Sequence, residues 1–271
     1  MKNRFFKSLS VLSICLIVLS SCGTSGNNSG GMKGINLFTV AQDKQFGQQV
    51  EAEIASDPTT YPILDSATNK EVYAYLYKIR NNILNSGKVT LRDEFDWRVR
   101  IIKDDSTLNA FCTPGGYIYV YTGLMKYLDS EDQLAGVLAH EIGHADQRHS
   151  TRQMTTMYGI DVLLNIVAGD RAMIKEITSS IIGLKFSRNH ETEADQKSVE
   201  YLCPTSYNAD GGAGFFEKLQ AAGSSKTIEF LSTHPDPGNR IEHFHAAKTE
   251  LGCTGNQSYA SEYKRIVSKL P

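Results

Sequence analysis

The stretch from Ser130 to Ser150, SEDQLAGVLAHEIGHADQRHS, restricts this chain more than its composition does, because it holds His140, Glu141 and His144 in the order H-E-x-x-H. A serine followed by Glu131 and Asp132 predicts a helix start, since a hydroxyl caps free N–H groups and acids suit the positive end of the helix dipole. On one helix, residues four apart stand one above the other, so the imidazoles of His140 and His144 reach a single metal ion. Leu134, Val137, Leu138, Ile142 and Ala145 form the inward stripe, and Glu141 falls inside it with the histidines at its flanks. A polar group buried without a partner costs roughly 2–7 kcal/mol, and a charge costs more. Glu141 is therefore expected to have a chemical role. The motif also arises by chance, so a third ligand must carry the reading.

That ligand is expected in Ser187 to Leu202, SRNHETEADQKSVEYL. In helical phase Ala194, Val199 and Leu202 mark the inner face and Glu191 and Asp195 share it, while Glu193, Gln196, Lys197 and Glu200 point away. Glu191 is read as the metal ligand. Asp195, one turn on, is placed to accept the N–H of a ligand histidine and fix its tautomer. Glu193 competes by proximity, but its phase puts it on the solvent side.

The 271 residues are 41% hydrophobic and 21% charged, enough for one sizeable core or two small ones. Residues 1–21 carry Lys2, Arg4 and Lys7 and no acid, so their removal takes the net charge from −2 to −5. A mildly acidic body without basic clusters gives no support to nucleic-acid binding. The basic start, the apolar run Leu9 to Leu19 and the small residues after it read as a secretory signal over residues 1–21, too short to span a membrane. Its end, Leu19-Ser20-Ser21-Cys22, resembles a bacterial lipobox, which implies lipidation at Cys22; Gly23 after it favours an outer membrane, with the protein facing the periplasm. Residues 22–36 read as a flexible, lipid-anchored tether and 37–271 as the folded domain.

Two amphipathic helices are expected over 40–56 and 66–86, separated by Pro58 and Pro62. From Phe95 to Tyr121 the pattern turns to period two, interrupted by Pro114-Gly115-Gly116, and predicts a small antiparallel sheet directly before the metal helix. An extended peptide can add to a sheet edge as a further strand, which makes Asn109, Ala110 and Phe111 the expected substrate contacts. Residues 154–186 are apolar but interrupted by charges, so they read as two packed or surface helices. Further helices are expected over 209–222 and 235–251, and the second carries Arg240. The prolines at 235 and 237 hold His234 in extended geometry just before it. Among the cysteines outside residues 1–22, Cys203 and Cys253 are the expected pair, with Cys112 buried and free. His149, His190, His243 and His245 read as surface or capping side chains.

Taken in order, the lipobox, the N-A-F strand, P-G-G-Y, H-E-I-G-H, S-R-N-H-E-T-E-A-D and T-H-P-D-P-G-N-R-I resemble the zinc peptidase family of HtpX and the CAAX prenyl endopeptidases, in its periplasmic lipoprotein branch. The resemblance runs from about Phe38 to Leu251. It implies an α+β, mainly helical, gluzincin-like metallopeptidase core with a small antiparallel sheet beside the H-E-x-x-H helix, and one zinc ion per chain. It also implies His140, His144 and Glu191 as ligands, Glu141 as the catalytic base, Asp195 as support for a ligand, and His234 as a catalytic-site histidine that either occupies the fourth metal position or stabilises the transition state. Arg240 is a second candidate for holding the developing oxyanion. The expected activity is endoproteolysis of extended segments in misfolded or unassembled envelope proteins. The alternative is a chaperone-like assembly factor that binds unfolded outer-membrane proteins and seldom cuts. The long helical-repeat array of larger relatives is not in this sequence.

Overall fold

In the computed structural model, residues 35–222, 229–236 and 238–271 are described. The expected signal segment, Cys22, most of the tether and Pro237 lie outside them. The elements in chain order are α1 (Val40–Ser56), α2 (Lys70–Leu84), β1 (Arg98–Ile102), β2 (Ala110–Thr113), β3 (Tyr117–Tyr121), α3 (Thr122–Tyr127), α4 (Glu131–Asp146), α5 (His149–Ala168), α6 (Arg171–Ile182), α7 (Arg188–Leu202), α8 (Ala213–Ala221), α9 (Glu229–Thr233), α10 (Arg240–Glu250) and α11 (Ala260–Val267).

The sheet corrects one expectation. Its strand order is β1-β3-β2, with β2 antiparallel to β3 but β1 parallel to it, so the sheet is mixed. Alternating hydrophobicity fixes which residues share a face and leaves the direction of pairing open. The chain leaves β1, crosses to the far edge as β2 and returns to the middle through Gly115 and Gly116, whose φ values of 79° and 85° suit glycine without strain. One sheet face, with Val99, Ile101, Cys112, Ile118 and Val120, joins the core of α2 and α4. The other, with Ile102, Phe111, Tyr117 and Tyr119, packs on α1, α5 and α6. Phe111 and Tyr119 stack there with centroids 4.7 Å apart. The outer edge of β1 is partly closed by Ile63, which bridges to Ile102, and by Leu64, whose N–H donates to the Ile101 carbonyl at 2.9 Å. Strand β2 lies close to α4.

Helix α4 runs through the middle, and all of its residues from Leu134 to Asp146 are buried. The apolar stripe is therefore not one exposed-versus-buried division, and the phase of this helix separates little. Its start also differs from expectation: the Ser130 hydroxyl does not cap the helix but donates to the Asp132 carboxylate, and the Glu131 N–H finds the Ser258 carbonyl at 3.0 Å. The fully buried Glu131 side chain is held by the Tyr75 hydroxyl at 2.6 Å, by Lys78 at 3.0 Å and by the Tyr207 hydroxyl. A buried carboxylate with three donors is compensated, and it anchors the helix end.

The disulfide joins Cys203 to Cys253 and Cys112 is free and buried, as the cysteine count led us to expect.

Candidate metal centre

Two helices bring the three expected ligands together. The Ser187 hydroxyl accepts from the His190 N–H at 3.2 Å and fixes where α7 begins, which sets Glu191 in its first turn. Gly143, between the motif residues on α4, lets α7 come close: a Cβ there would sit 3.2 Å from the Lys197 Cβ and 3.3 Å from the Ala194 carbonyl oxygen. His140 Nε2 and His144 Nε2 are 2.9 Å apart, and they lie 3.4 Å and 3.3 Å from the two Glu191 oxygens. His234, directly after α9, adds a fourth donor, with Nδ1 3.3 Å from His140 Nε2 and 3.2 Å from Glu191 Oε1. The four ligand atoms fall within 4.8 Å of one another and all four residues are buried. A tetrahedral metal with bonds of about 2.0–2.1 Å spaces its ligand atoms about 3.3 Å apart, so this donor set fits a divalent metal.

The surroundings favour a cation. Burial alone would lower the pKa of His140, yet its bonds to Asp195 and Glu191 raise it to about 9. Burial would likewise raise Glu191, but the facing histidines hold its carboxyl well below the usual range. His144, deep in the interior, is pushed well below its ordinary value. The positive charge that these carboxylates attract is one that a metal ion would supply at the point where the ligand atoms meet.

Each of the three expected ligands has a second partner that orients it. Asp195 Oδ1 lies 2.8 Å from His140 Nδ1, which leaves Nε2 for a metal. Arg240, one of two candidates for holding the oxyanion, has its Nε and Nη2 donating to Asp195 at 2.7 Å each, and Nη2 also reaches Glu191 at 3.1 Å. Among the described residues its Nη1 is buried without a hydrogen-bond partner. His149 is a correction, since it is neither a surface nor a capping residue. It is fully buried, its Nδ1 lies 2.9 Å from His144 Nδ1, and its Nε2 lies 3.2 Å from Glu193. Burial lowers its pKa, which favours the neutral ring, and a neutral ring can accept from His144 on one nitrogen while donating to Glu193 from the other. Its position five residues after His144 was the available signal, and a lone histidine at that spacing has no helical-face argument behind it. Two aromatic walls were also missed: Phe186 stacks on His144 at 4.0 Å and Phe230 on His234 at 4.4 Å.

Glu141 is fully buried, and among the described residues no N–H or O–H group hydrogen-bonds either of its oxygens. Burial raises its pKa, and the Cys112 thiol against it is pushed up by the same burial and by the carboxylate. The nearest His234 nitrogen is 3.6 Å away, too long for a hydrogen bond. Asn109, Ala110 and Phe111 are buried at the start of β2. The Tyr121 N–H donates to the Asn109 carbonyl, so strand alternation turns the Ala110 and Cys112 main-chain groups to the outer edge. There the Ala110 N–H is capped by the Asn109 side chain at 2.9 Å, and the Phe230 N–H of α9 takes the Leu108 carbonyl at 3.2 Å.

Comparison with known proteins agrees with this chemistry. The model of Peptidase family M48 matches residues 71–248. The mitochondrial metalloendopeptidase OMA1 of Schizosaccharomyces pombe is 30% identical over 154 residues, 55% of this chain and 45% of that one. The beta-barrel assembly-enhancing protease of Escherichia coli is 33% identical over 157 residues, 52% of this chain and 32% of that one. The Escherichia coli metalloprotease YcaL is 30% identical over 146 residues, 51% and 57% of the two chains. This chain thus spans between about a third and somewhat over half of the length of these relatives. With the family model covering well over half of the chain and the ligand set of a metallopeptidase assembled from its own helices, the chain belongs to peptidase family M48.

Proposed function

We propose that this chain is a zinc endopeptidase that cuts extended segments of misfolded or unassembled envelope proteins, lipid-anchored through Cys22 to an outer membrane and facing the periplasm. The observation that carries the reading is the fully buried carboxylate of Glu141, with no N–H or O–H partner among the described residues, beside a four-donor cluster of metal-ligand geometry. The name of the beta-barrel assembly-enhancing protease supports the substrate class, and the lipobox supports the location.

Zinc, when bound, would polarise the scissile carbonyl and activate a water near neutral pH. His140, His144 and Glu191 would hold it, oriented by Asp195, His149 and Arg240. A substrate strand would pair with the outer edge of β2 and displace the Asn109 side chain from the Ala110 N–H. Glu141 would take the water's proton and deliver it to the leaving nitrogen, a role worth about 10²–10⁴ in rate. His234 fills the fourth corner and Phe230 covers the strand edge, so we assign the described arrangement to a latent enzyme in which the segment carrying His234 must withdraw.

The test compares cleavage of casein or unfolded porin by the full chain and by Glu141→Gln, each also in a His234→Ala background, with metal content measured in parallel. Glu141→Gln should abolish cleavage and keep the metal; cleavage that persists ends the proposal. The closed corner also favours the alternative of an assembly factor that seldom cuts. That reading takes over if cleavage is absent in every background while binding of unfolded outer-membrane protein survives Glu141→Gln unchanged.

A further inference from the structure

Helix α5 is apolar on two sides. In its second half, Leu163 and Ile166 pack inward with Phe38 and Phe46, as a core-facing stripe should. Ile160, Leu164 and Val167, at spacings of four and three, form a second stripe with 56%, 58% and 48% of their surfaces in water. Just before the break in the helix at Gly159, whose φ is 64° and ψ −148°, Met157 and Tyr158 are 55% and 41% exposed. Single exposed hydrophobics are ordinary on any protein, but five within one short segment make a patch of the kind that meets a partner.

The first described residues lead to the same helix. Asn36 donates to the Thr151 hydroxyl at 2.9 Å and the Leu37 N–H to Thr155 at 3.2 Å, within two turns of Met157. Ile35 and Leu37 are themselves 78% and 39% exposed. Positions 23–34 separate Cys22 from this point, which limits its distance from a lipid at Cys22 to at most about 45 Å. Among the described residues no helix is long and apolar enough to cross a membrane, so α5 can lie on a bilayer and not through one. Charges of both signs lie on and after this helix, Asp161 within it and Asp170, Arg171 and Lys175 beyond its end, which gives no electrostatic preference for anionic headgroups.

We propose that the outer stripe of α5, Ile160, Leu164 and Val167, rests in the interface of a lipid bilayer, so that the domain lies against the membrane. This deepens the anchor reading, and the test keeps the two separate. Cys112 is buried and the other described cysteines are bonded, so a fluorophore placed at Leu164→Cys reports that site, with Ser261→Cys on α11 as the control. In the full lipidated chain on phosphatidylethanolamine–phosphatidylglycerol vesicles, spin-labelled lipid should quench position 164 several-fold more than 261. Ile160→Asp with Val167→Asp should remove that quenching while the melting temperature is kept. Equal quenching at the two positions, or quenching that survives the double substitution in a folded chain, overturns the proposal. Protection at 164 without lipid quenching but with energy transfer between labelled copies also overturns it and assigns the stripe to a second copy. If Cys22 carries no lipid, the anchor reading fails by itself, and the full chain with Cys15→Ser and Cys22→Ser, labelled at the same positions and added to preformed vesicles, still gives the quenching that decides the stripe.

Discussion

Glu141 and His234 face each other across 3.6 Å with no hydrogen bond between them, and in the proposed mechanism this gap separates a poised base from a working one. His234 is donor and obstacle at once: its Nδ1 completes the ligand cluster, and its ring is clamped against Phe230. His234→Ala should therefore raise the basal rate of casein cleavage several-fold. A fall would instead assign the residue to transition-state binding, and no change would return it to packing. His149 acts through His144. Removing it leaves the His144 Nδ1–H without an acceptor in a dry interior, and loss of such an orienting partner typically lowers metal affinity about 10–100-fold. His149→Ala should show that loss in a chelator competition, whereas unchanged affinity would make the contact merely spatial.

At the scale of elements, α4 decides where everything else sits, and its glycines allow it to do so. A Cβ at Gly136 would lie 2.3 Å from the Gly212 backbone nitrogen ahead of α8, closer than any real contact, so backbone would have to move. Overpacking of this kind costs about 1–3 kcal/mol. Gly136→Ala should lower the denaturation midpoint accordingly, and an unchanged midpoint would mean that α8 slides freely. The two helices also show when phase can be read from sequence. Helix α7 has a wet face, with Gln196 exposed and Glu193, Lys197 and Glu200 half-buried, and Glu191 was correctly separated from Glu193 on that basis. Helix α4 is buried all round, and its stripe named the right residues without defining a face.

In the whole molecule, the Cys203–Cys253 bond ties the end of α7, which supplies Glu191 and Asp195, to the turn after α10, which supplies Arg240. The sequence separation of 50 residues makes the loop long enough for the bond to contribute about 2–4 kcal/mol, chiefly by limiting the unfolded chain. Cys203→Ser with Cys253→Ser should lower stability to urea by that amount; an equal midpoint would show that packing alone holds the two helices. The convergence of His140, His144 and Glu191, with Asp195 behind His140 and Glu141 beside the cluster, was legible in the sequence. Ligand chemistry and helical phase are local properties, written within a few turns of chain. The direction of β1, the burial of His149, the diversion of Arg240 to Asp195 and Glu191, and the seat of His234 on the fourth corner were not legible. His234 meets His140 across 94 positions and Arg240 meets His140 across 100, and contacts at such separations depend on how loops return the chain, which no periodicity records. The chemistry of the site was set by residue types at fixed local spacing, and only the tertiary structure decided whether that site stands open or closed.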